Sequence, residues 1–362
     1  MQSYSVEIIH TPERWQELST QWNDLLSKSA SNTIFLTWEW LFSWAECYIN
    51  ANREIFILAV FDKEELLGIA PWYVNHQREY YFLAYKQIEF LGTPESASDY
   101  LDVFVKKGKE KEVANRIYDY LIREATSSWD CLAFKDVPVD SPFFFHFMNR
   151  MEEEGKYAEI GRGSICPVSS RPAGTGDFFL NISQHRRQRF SRELKLLNDG
   201  GIDYRSISSG ADLSGALQEL FSFHERQKDF KDRQLYRLIE KFAARCRDGS
   251  VEIDLLSHQG KNIAGLLHLR HQDTLSLYLM ATDKGFNPKI SIGNVLVGLS
   301  IKRAFEREFS TYDFLKGSEP YKFSWANGMR SSINIFVYGK KIIPLFIVAK
   351  RFLKYTAKIV LR

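Results

Sequence analysis

Apolar residues follow the same succession of patterns twice along the chain. In the first half, apolar positions at helical spacing, such as Trp15, Leu18 and Trp22, precede segments whose alternation predicts a three-strand meander. A helix, a strand and a last helix complete this half. The elements predicted here are helices that begin near Pro12 and Thr37, strands at 55–61, 66–74, 80–91 and 129–134, and helices at 109–126 and 142–154.

The second half repeats this order without repeating the sequence. Its predicted elements are helices at 183–197, 213–228, 235–247 and 292–309, and strands at 202–207, 251–257, 263–270, 274–282, 312–315 and 333–338. Segment 161–178 is rich in Gly, Ser and Pro, which is typical of a connection between domains. We therefore predict two α/β domains, residues 1–165 and 166–342, each with a mixed, mostly antiparallel sheet flanked by helices.

Composition narrows the class of protein. A chain of 362 residues suits two domains, and an apolar share of 44% is typical of a globular protein. The four cysteines are scattered without C-x-x-C spacing, so we expect reduced thiols and no metal site. The N-terminus lacks the basic and apolar regions of a secretory signal, and no apolar run is long enough to span a membrane, so a cytoplasmic location is expected.

The end of the chain has a charge pattern of its own. Residues 340–362 contain seven basic residues and no acidic ones. Within 343–362, Arg351, Lys354, Lys358 and Arg362 follow helical spacing beside apolar residues. This pattern predicts a basic amphipathic helix that makes peripheral contact with the inner face of the cell membrane; the alternative is a helix docked on the protein's own surface.

The strongest chemical signal is the segment 312–325, YDFLKGSEPYKFSW. A short apolar strand ends in charged residues, which are followed by glycine, proline and an aromatic-basic cluster. Charged groups at the carboxyl end of a strand usually face a crevice. Asp313 is predicted to orient an amine or act as a base, and Lys316 and Lys322 to hold phosphate or carboxylate groups. The alternative is a solvated loop with one surface ion pair.

This segment resembles the DFLxGxxxYK signature of the CelD-like GNAT acyltransferases, which are relatives of the FemAB peptidyltransferases. The segment 35–40 (FLTWEW) with Trp44, the loop 99–102 (DYLD) and the basic run 185–189 (HRRQR) are also similar to that family. The resemblance covers nearly the whole chain. It implies two GNAT-like (acyl-CoA N-acyltransferase) domains in tandem, an acyl transfer reaction, and a role in bacterial exopolysaccharide or cell-envelope synthesis.

The loop before the last long helix is the predicted donor site. It joins a strand to a helix N-terminus, where free backbone N–H groups and the helix dipole favour an anion. The resemblance implies that the pyrophosphate of coenzyme A binds here, although the Q/R-x-x-G-x-G/A pattern of GNAT proteins is reduced to one glycine, with a serine as the predicted cap. The alternative is a plain capped helix. The predicted donor-binding residues are Lys289, Ser291, Ile292, Gly293 and Asn294.

Several further residues are candidates for contacts with substrate. The basic helix that contains Arg186 and Arg189 is either a solvated face or the mouth of a cleft that attracts an anionic substrate. His224 lies on a predicted helix as either a base or a structural histidine. Tyr278 lies in the meander, where it is either a core residue or the acid that protonates a departing thiolate. The remaining predicted substrate contacts are Lys316, Glu319, Tyr321 and Trp325.

Together these features predict a GNAT-type acyltransferase. Acyl-CoA is the expected cosubstrate, without a metal, and the acceptor is an amine or hydroxyl of a small-molecule or sugar-linked envelope precursor. The sequence contains no G-x-S-x-G motif and no P-loop, so direct attack by the acceptor fits better than a covalent enzyme intermediate. One alternative is a FemAB-type transferase that takes its aminoacyl group from tRNA; another is a non-catalytic component of polysaccharide synthesis. We expect no specific nucleic-acid partner.

Overall fold

The computed structural model of the protein describes residues 4–79, 83–95, 98–172, 178–199, 201–227, 233–246, 249–283, 285–286 and 289–339. They form two compact units. The first comprises the described residues up to Gly163 and those from Ser332 onward, and the second comprises Ser164–Ser331. The predicted C-terminal helix over residues 343–362 lies outside the described residues. No helix among the described ranges is long and apolar enough to cross a membrane.

The first unit is a sheet with short helices packed on it. Its elements are β1 (Ser5–Ile9), α1 (Pro12–Glu17), α2 (Ser19–Ser27), α3 (Trp38–Tyr48), β2 (Arg53–Asp62), β3 (Glu65–Glu79), β4 (Leu83–Phe90), β5 (Phe104–Val105), α4 (Glu110–Asp119), β6 (Cys131–Pro138), α5 (Pro142–Glu153) and the start of β7 (Ala158–Ser170).

From residue 202 onward the second unit follows a similar order of elements, without a counterpart of β5 among its described residues. It contains the end of β7, α6 (Gln184–Asp199), β8 (Ile202–Ile207), α7 (Gly210–Gln227), α8 (Arg233–Arg245), β9 (Val251–His258), β10 (Lys261–His271), β11 (Thr274–Thr282), α9 (Ile292–Glu306), β12 (Thr311–Asp313), α10 (Pro320–Trp325) and the start of β13 (Gly328–Tyr338).

Both sheets are mostly antiparallel. In the first unit the strand order is β1-β2-β3-β4-β6-β13, with β5 paired to β3, and only β4 and β6 run parallel. In the second unit the order is β7-β12-β11-β10-β9-β8, and only β11 and β12 run parallel. The predicted α/β architecture, with helices flanking mostly antiparallel strands in both units, is therefore confirmed.

Two boundaries differ from the prediction. Segment 161–178 was expected to connect the domains, yet its first ten residues belong to β7, because Val168 and Ser169 pair with β12 and are buried. The second domain was expected to extend to residue 342. In the structure, the strand Ser332–Tyr338 pairs with β6 and belongs to the first unit.

The first unit also holds a fully buried carboxylate, Asp102. Its Oδ2 accepts a hydrogen bond from the Ser31 hydroxyl at 2.7 Å, and its Oδ1 accepts from Ser141 Oγ and from the Val103 amide, each at 2.8 Å. Burial raises the pKa of Asp102 from 3.8 to about 7, although the three donors oppose the shift. The folded state therefore prefers the protonated acid, which can donate to Ser31 in turn.

Replacing Asp102 by asparagine is expected to remove a pH dependence of stability. Because the folded pKa is raised, the stabilisation from this group is complete below the unfolded pKa and is lost as pH rises towards 7. Between pH 5 and 8 the free energy of unfolding of the wild type should fall by about 2–3 kcal/mol more than that of Asp102→Asn. Chemical denaturation at both pH values measures this, with the exposed Asp140→Asn as control. Equal slopes for the wild type and Asp102→Asn would contradict the assignment.

Candidate functional site

The central feature of the second unit is the point where its two parallel strands part. β11 and β12 pair over only three positions, of which Ser276 and Asp313 are the last, whereas β11 continues to Thr282. At the same level β11 contains a bulge, since Leu267 faces Leu279 but the next residue faces Leu277. We call the opening between residues 277–282 and 314–319 the fork. A bulge beside a strand end leaves backbone amides unpaired at such an edge.

The N-terminus of α9 lies against the end of β11, beside the fork. A Cβ atom on Gly293 would come within 2.7 Å of Thr282 Cγ2 and 3.2 Å of Met280 Sδ, so this close approach requires glycine. Ser291 is the N-cap residue, but its hydroxyl accepts from Asn294 Nδ2 at 2.6 Å and caps no backbone amide. Within the described part of the chain, the first amides of α9 have no hydrogen-bond partner.

Arg186, on α6, projects to the same helix end. Its Nη2 donates to Asn294 Oδ1 at 3.1 Å and to Ser324 Oγ, and its guanidinium lies 4.9 Å above the ring of Trp325. The residue is only 9% exposed. Burial lowers the pKa of Arg186, and neighbouring Arg189 lowers it further. Among the described residues, no carboxylate lies within 4 Å of this guanidinium.

These features place two positive poles together. The carboxylate of Glu193 acts on Arg186 only over a longer distance, and its ion pair is with Arg189. The amides of α9 carry the positive end of the helix dipole, and Arg186 adds a full charge that is largely removed from water. A buried cation normally has a counter-ion, so the arrangement fits a ligand that supplies one. Guanidinium and helix amides together are a common way to bind phosphate or carboxylate.

The ring of Trp325 packs against the guanidinium of Arg186. This ring is fully buried and contacts α9 at Gly298, where an added Cβ would lie 2.7 Å from Trp325 Cη2 and 2.5 Å from Phe190 Cε2. The predicted contact between Trp325 and substrate is therefore replaced by a packing role, since the ring has no exposed surface. Tyr321 is also largely buried, and burial raises its pKa.

Asp313 closes the narrow end of the fork. Its Oδ1 accepts from the Leu315 amide at 2.8 Å, and its Oδ2 lies 3.5 Å from Arg330 Nη1. Leu315 has a φ of 56°, so the carboxylate holds a turn that the backbone would otherwise disfavour. Asp313 is only 1% exposed. In this structure it organises the turn, and an acceptor would reach it only after local opening.

Lys322 is bound to its own loop. Its Nζ donates to the carbonyl oxygen of Lys316 at 2.7 Å and to that of Leu315 at 3.5 Å, and lies 3.3 Å from Glu319 Oε2. All three ammonium protons therefore have acceptors. Gly317 has a φ of 145° and no Cβ, which lets Glu319 and Lys322 lie over it. An anionic ligand would have to displace Glu319 before it could contact Lys322.

The other predicted site residues divide into two that lie beside the fork or the start of α9 and two that make contacts elsewhere. Tyr278 is the extra residue of the β11 bulge and is half-buried at the fork. Lys289 is exposed just before α9. His224 is buried and bonds through Nδ1 to Tyr236 on α8 at 2.8 Å, so it does not join the group around Arg186. Arg189 pairs with the buried Glu193 at 2.8 Å. Sequence reasoning missed Ser324, which carries no motif of its own.

The first unit does not reproduce this site. The helix in the position of α9 is α4, whose first turn contains Glu110 and Glu112, and the Gly108 amide donates to Glu110 Oε2 at 2.8 Å. Acidic side chains at a helix start repel a further anion. Beyond the parallel pairing of β4 and β6, the ring of Phe134 packs at 4.9 Å from Trp72 and 5.3 Å from Phe144. Within the described residues of the first unit, packed aromatic rings therefore occupy the position that corresponds to the fork.

Comparisons with known proteins agree with this description. Residues 184–323 match the family model of the acetyltransferase (GNAT) domain. None of the curated proteins matches the sequence significantly.

Solved structures share the fold over nearly the whole chain. FemX has a TM-score of 0.62 and 12% identity over 94% of this chain and 99% of its own. L-PGS from Bacillus licheniformis has a TM-score of 0.55 and 9% identity over 93% of this chain and 95% of its own. The C-terminal domain of a protein described as a lysylphosphatidylglycerol synthetase from Agrobacterium fabrum has a TM-score of 0.53 and 9% identity over 94% of this chain and 97% of its own. The predicted tandem GNAT-like fold is thus confirmed.

Proposed function

We propose that the second unit is an acyltransferase domain that binds a phosphate-bearing acyl donor, acyl-CoA, between Arg186 and the N-terminus of α9. The observation that carries the proposal is the buried guanidinium of Arg186, which has no carboxylate within 4 Å among the described residues, beside helix amides that have no hydrogen-bond partner among them. The match of residues 184–323 to a GNAT domain supports the same class of reaction. Donor phosphates supply the missing negative charge, and the thioester arm enters the fork.

The fork supplies the groups that acyl transfer needs. The acceptor nitrogen or oxygen attacks the thioester carbonyl carbon, a C–N or C–O bond forms, and the C–S bond breaks. Backbone amides on the edge of β11 that faces the fork can receive the carbonyl oxygen as its negative charge develops. Tyr278, half-buried at the bulge, is the acid that protonates the departing thiolate. Once the turn opens locally, Asp313 at the narrow end of the fork orients the acceptor and takes the proton that the acceptor loses.

The acceptor proposed is an amine or hydroxyl of a small-molecule or sugar-linked envelope precursor. This choice follows from the resemblance of the segment 312–325 to the CelD-like acyltransferases. The half-exposed carboxylate of Glu319, beside the narrow end of the fork, suits a cationic or hydroxyl-rich acceptor. Peripheral membrane contact through residues 343–362 stays a prediction about a segment outside the described residues.

A second candidate is a transferase that takes its aminoacyl group from tRNA. The observation that favours it is a row of exposed basic side chains along α6, which starts next to Arg186. The row consists of His185, Arg189, Arg192 and Lys195. Such a row can follow an RNA backbone from phosphate to phosphate, and binding of that kind falls steeply with salt.

Isothermal titration with coenzyme A tests the proposal. One binding site per chain is expected, because among the described residues it is the second unit that has the unpaired helix end and the buried arginine. Two sites per chain would contradict the account of the first unit. Absence of binding to coenzyme A, together with salt-sensitive binding of aminoacyl-tRNA, would replace the acyl-CoA donor by the second candidate.

A further inference from the structure

A set of buried side chains beneath α9 in the second unit is linked by hydrogen bonds. Its centre is His268, on β10, whose side chain is fully buried. Nε2 of His268 lies 2.9 Å from the Tyr312 hydroxyl and 3.1 Å from Ser300 Oγ. Nδ1 lies 3.8 Å from Asp254 Oδ2, on β9. One imidazole therefore contacts side chains of β12 and α9 and faces a carboxylate of β9.

The surroundings select one tautomer of the imidazole. Burial lowers the pKa of His268, and this effect outweighs the nearby carboxylates of Asp254 and Glu252, so the ring is neutral at pH 7. Burial also raises the pKa of Tyr312, so the phenol keeps its proton and can donate it. Asp254 favours a proton on Nδ1, which leaves Nε2 as the acceptor for Tyr312.

The remaining charged groups around this ring balance one another. Arg303 contacts Glu252 and lies 3.0 Å from Asp254, and Arg307 pairs with Glu252 at 2.7 Å. No net charge therefore forces His268 to ionise.

The side chains of Ser300, His268 and Asp254 resemble the nucleophile, base and carboxylate of a catalytic triad, but they are not accessible. Ser300 is only 1% exposed, and the same imidazole nitrogen lies closer to Tyr312. A substrate carbonyl has no route to this hydroxyl, since a nucleophile must contact the reacting atom. The hydrogen bonds around His268 are better explained by the strands and the helix that they hold in place.

Its position coincides with the narrow end of the fork. His268 is the β10 residue opposite the bulge, where it pairs with Leu277. Tyr312 directly precedes Asp313, the last paired residue of β12. Ser300 lies on α9, the helix whose start carries the unpaired amides. The imidazole thus connects the bulged edge, the end of β12 and the donor-binding helix.

We propose that His268 is a positioning residue for acyl transfer, which fixes the start of α9 relative to the narrow end of the fork through its hydrogen bond with Tyr312 and its contact with Ser300 Oγ. The residue touches no ligand, and the inference rests on the proposed function. β12 has only three residues, so the hydrogen bond of Tyr312 adds to the pairing of this strand with β11 and β7. Without it, the fork can widen and the acyl group loses its alignment.

Matched substitutions separate positioning from general stability. Tyr312→Phe and His268→Leu remove the hydrogen bond, whereas His268→Gln keeps an acceptor near the position of Nε2. Tyr204→Phe is the control, because its hydroxyl lies beside the same charged groups, Asp254 and Arg303, without a hydrogen bond to His268 among the described residues. With coenzyme A as the probe, the first two variants should bind about 10-fold more weakly, His268→Gln should recover most of the loss, and Tyr204→Phe should bind like the wild type.

Nitrogen NMR of the ligand-free wild type provides the independent measurement. A neutral imidazole protonated at Nδ1 is expected, and a proton on Nε2 would overturn the inference even if coenzyme A binds. Unchanged affinity in Tyr312→Phe would overturn it as well. A wild type with the expected tautomer that binds no coenzyme A would instead refute the proposed function, and the positioning role with it.

Discussion

Replacing Arg186 by glutamine is expected to weaken the binding of coenzyme A about 100-fold while the fold persists. A hydrogen bond to a charged group contributes about 1.5–3 kcal/mol, and the guanidinium offers more than one to a phosphate. A loss of about 3 kcal/mol corresponds to roughly 100-fold in affinity. Glutamine can still contact Asn294 and Ser324, so α6, α9 and α10 should stay together. Calorimetric titration with coenzyme A measures the effect.

The matched control is Arg192→Gln, on the same helix. Arg192 is exposed, and an exposed charge is screened by salt, so its removal should change the affinity less than twofold at physiological ionic strength. Equal losses in the two variants would mean that α6 acts through its general positive field. That result would favour the RNA-binding alternative over a specific phosphate site.

Replacing Glu252 by glutamine is expected to cost about 3 kcal/mol of unfolding free energy in the second unit. Glu252 is fully buried and accepts from Arg303 and, at 2.7 Å, from Arg307. Removing one partner of a buried ion pair leaves the other charge poorly compensated. Arg303 retains Asp254, but Arg307 loses its carboxylate. The midpoint of thermal unfolding at pH 7 should fall by roughly 6–10 °C.

The loss of stability in Glu252→Gln is expected to depend on pH. Burial alone would raise the pKa of Glu252, but hydrogen bonds from Arg307 and Arg303 outweigh it, so the pKa lies below its ordinary value of 4.5. The stabilisation is therefore complete above that value and is lost as pH falls. The wild type and Glu252→Gln should converge towards acid pH. Glu306→Gln, which removes an exposed pair with Lys302, should change stability by less than about 0.5 kcal/mol. A Glu252 variant as stable as this control would contradict the account.

The local pattern of apolar and polar residues predicts most of the helices and strands. The three-strand meanders and the helices that follow them have strong periodicity, and a cap such as Thr37, whose hydroxyl accepts from the Trp40 amide at 3.4 Å, acts over a few residues. β7 was missed because its Gly and Ser residues resemble a connection, while the pairing of Ser169 with Tyr312 is decided by the sheet.

The sequence indicated the segments that form the candidate site, but not which of their side chains meet. The run of basic residues on α6 indicated an anion, yet only helical spacing singles out Arg186, which shares a buried face with Phe190, Glu193 and Leu197. The sequence suggested that Lys322 holds a substrate anion, whereas the structure gives it three acceptors in its own loop. His268 was not distinguishable at all, because Ser300 and Tyr312 lie 32 and 44 positions away and only the fold brings them together.

The most direct test is a crystal structure of the protein with coenzyme A. We expect density for a phosphate group within hydrogen-bond distance of the amides of Ile292, Gly293 and Asn294, with a contact from the Arg186 guanidinium. Density for the phosphates elsewhere on the second unit, with these amides and Arg186 arranged as they are without ligand, would contradict this expectation.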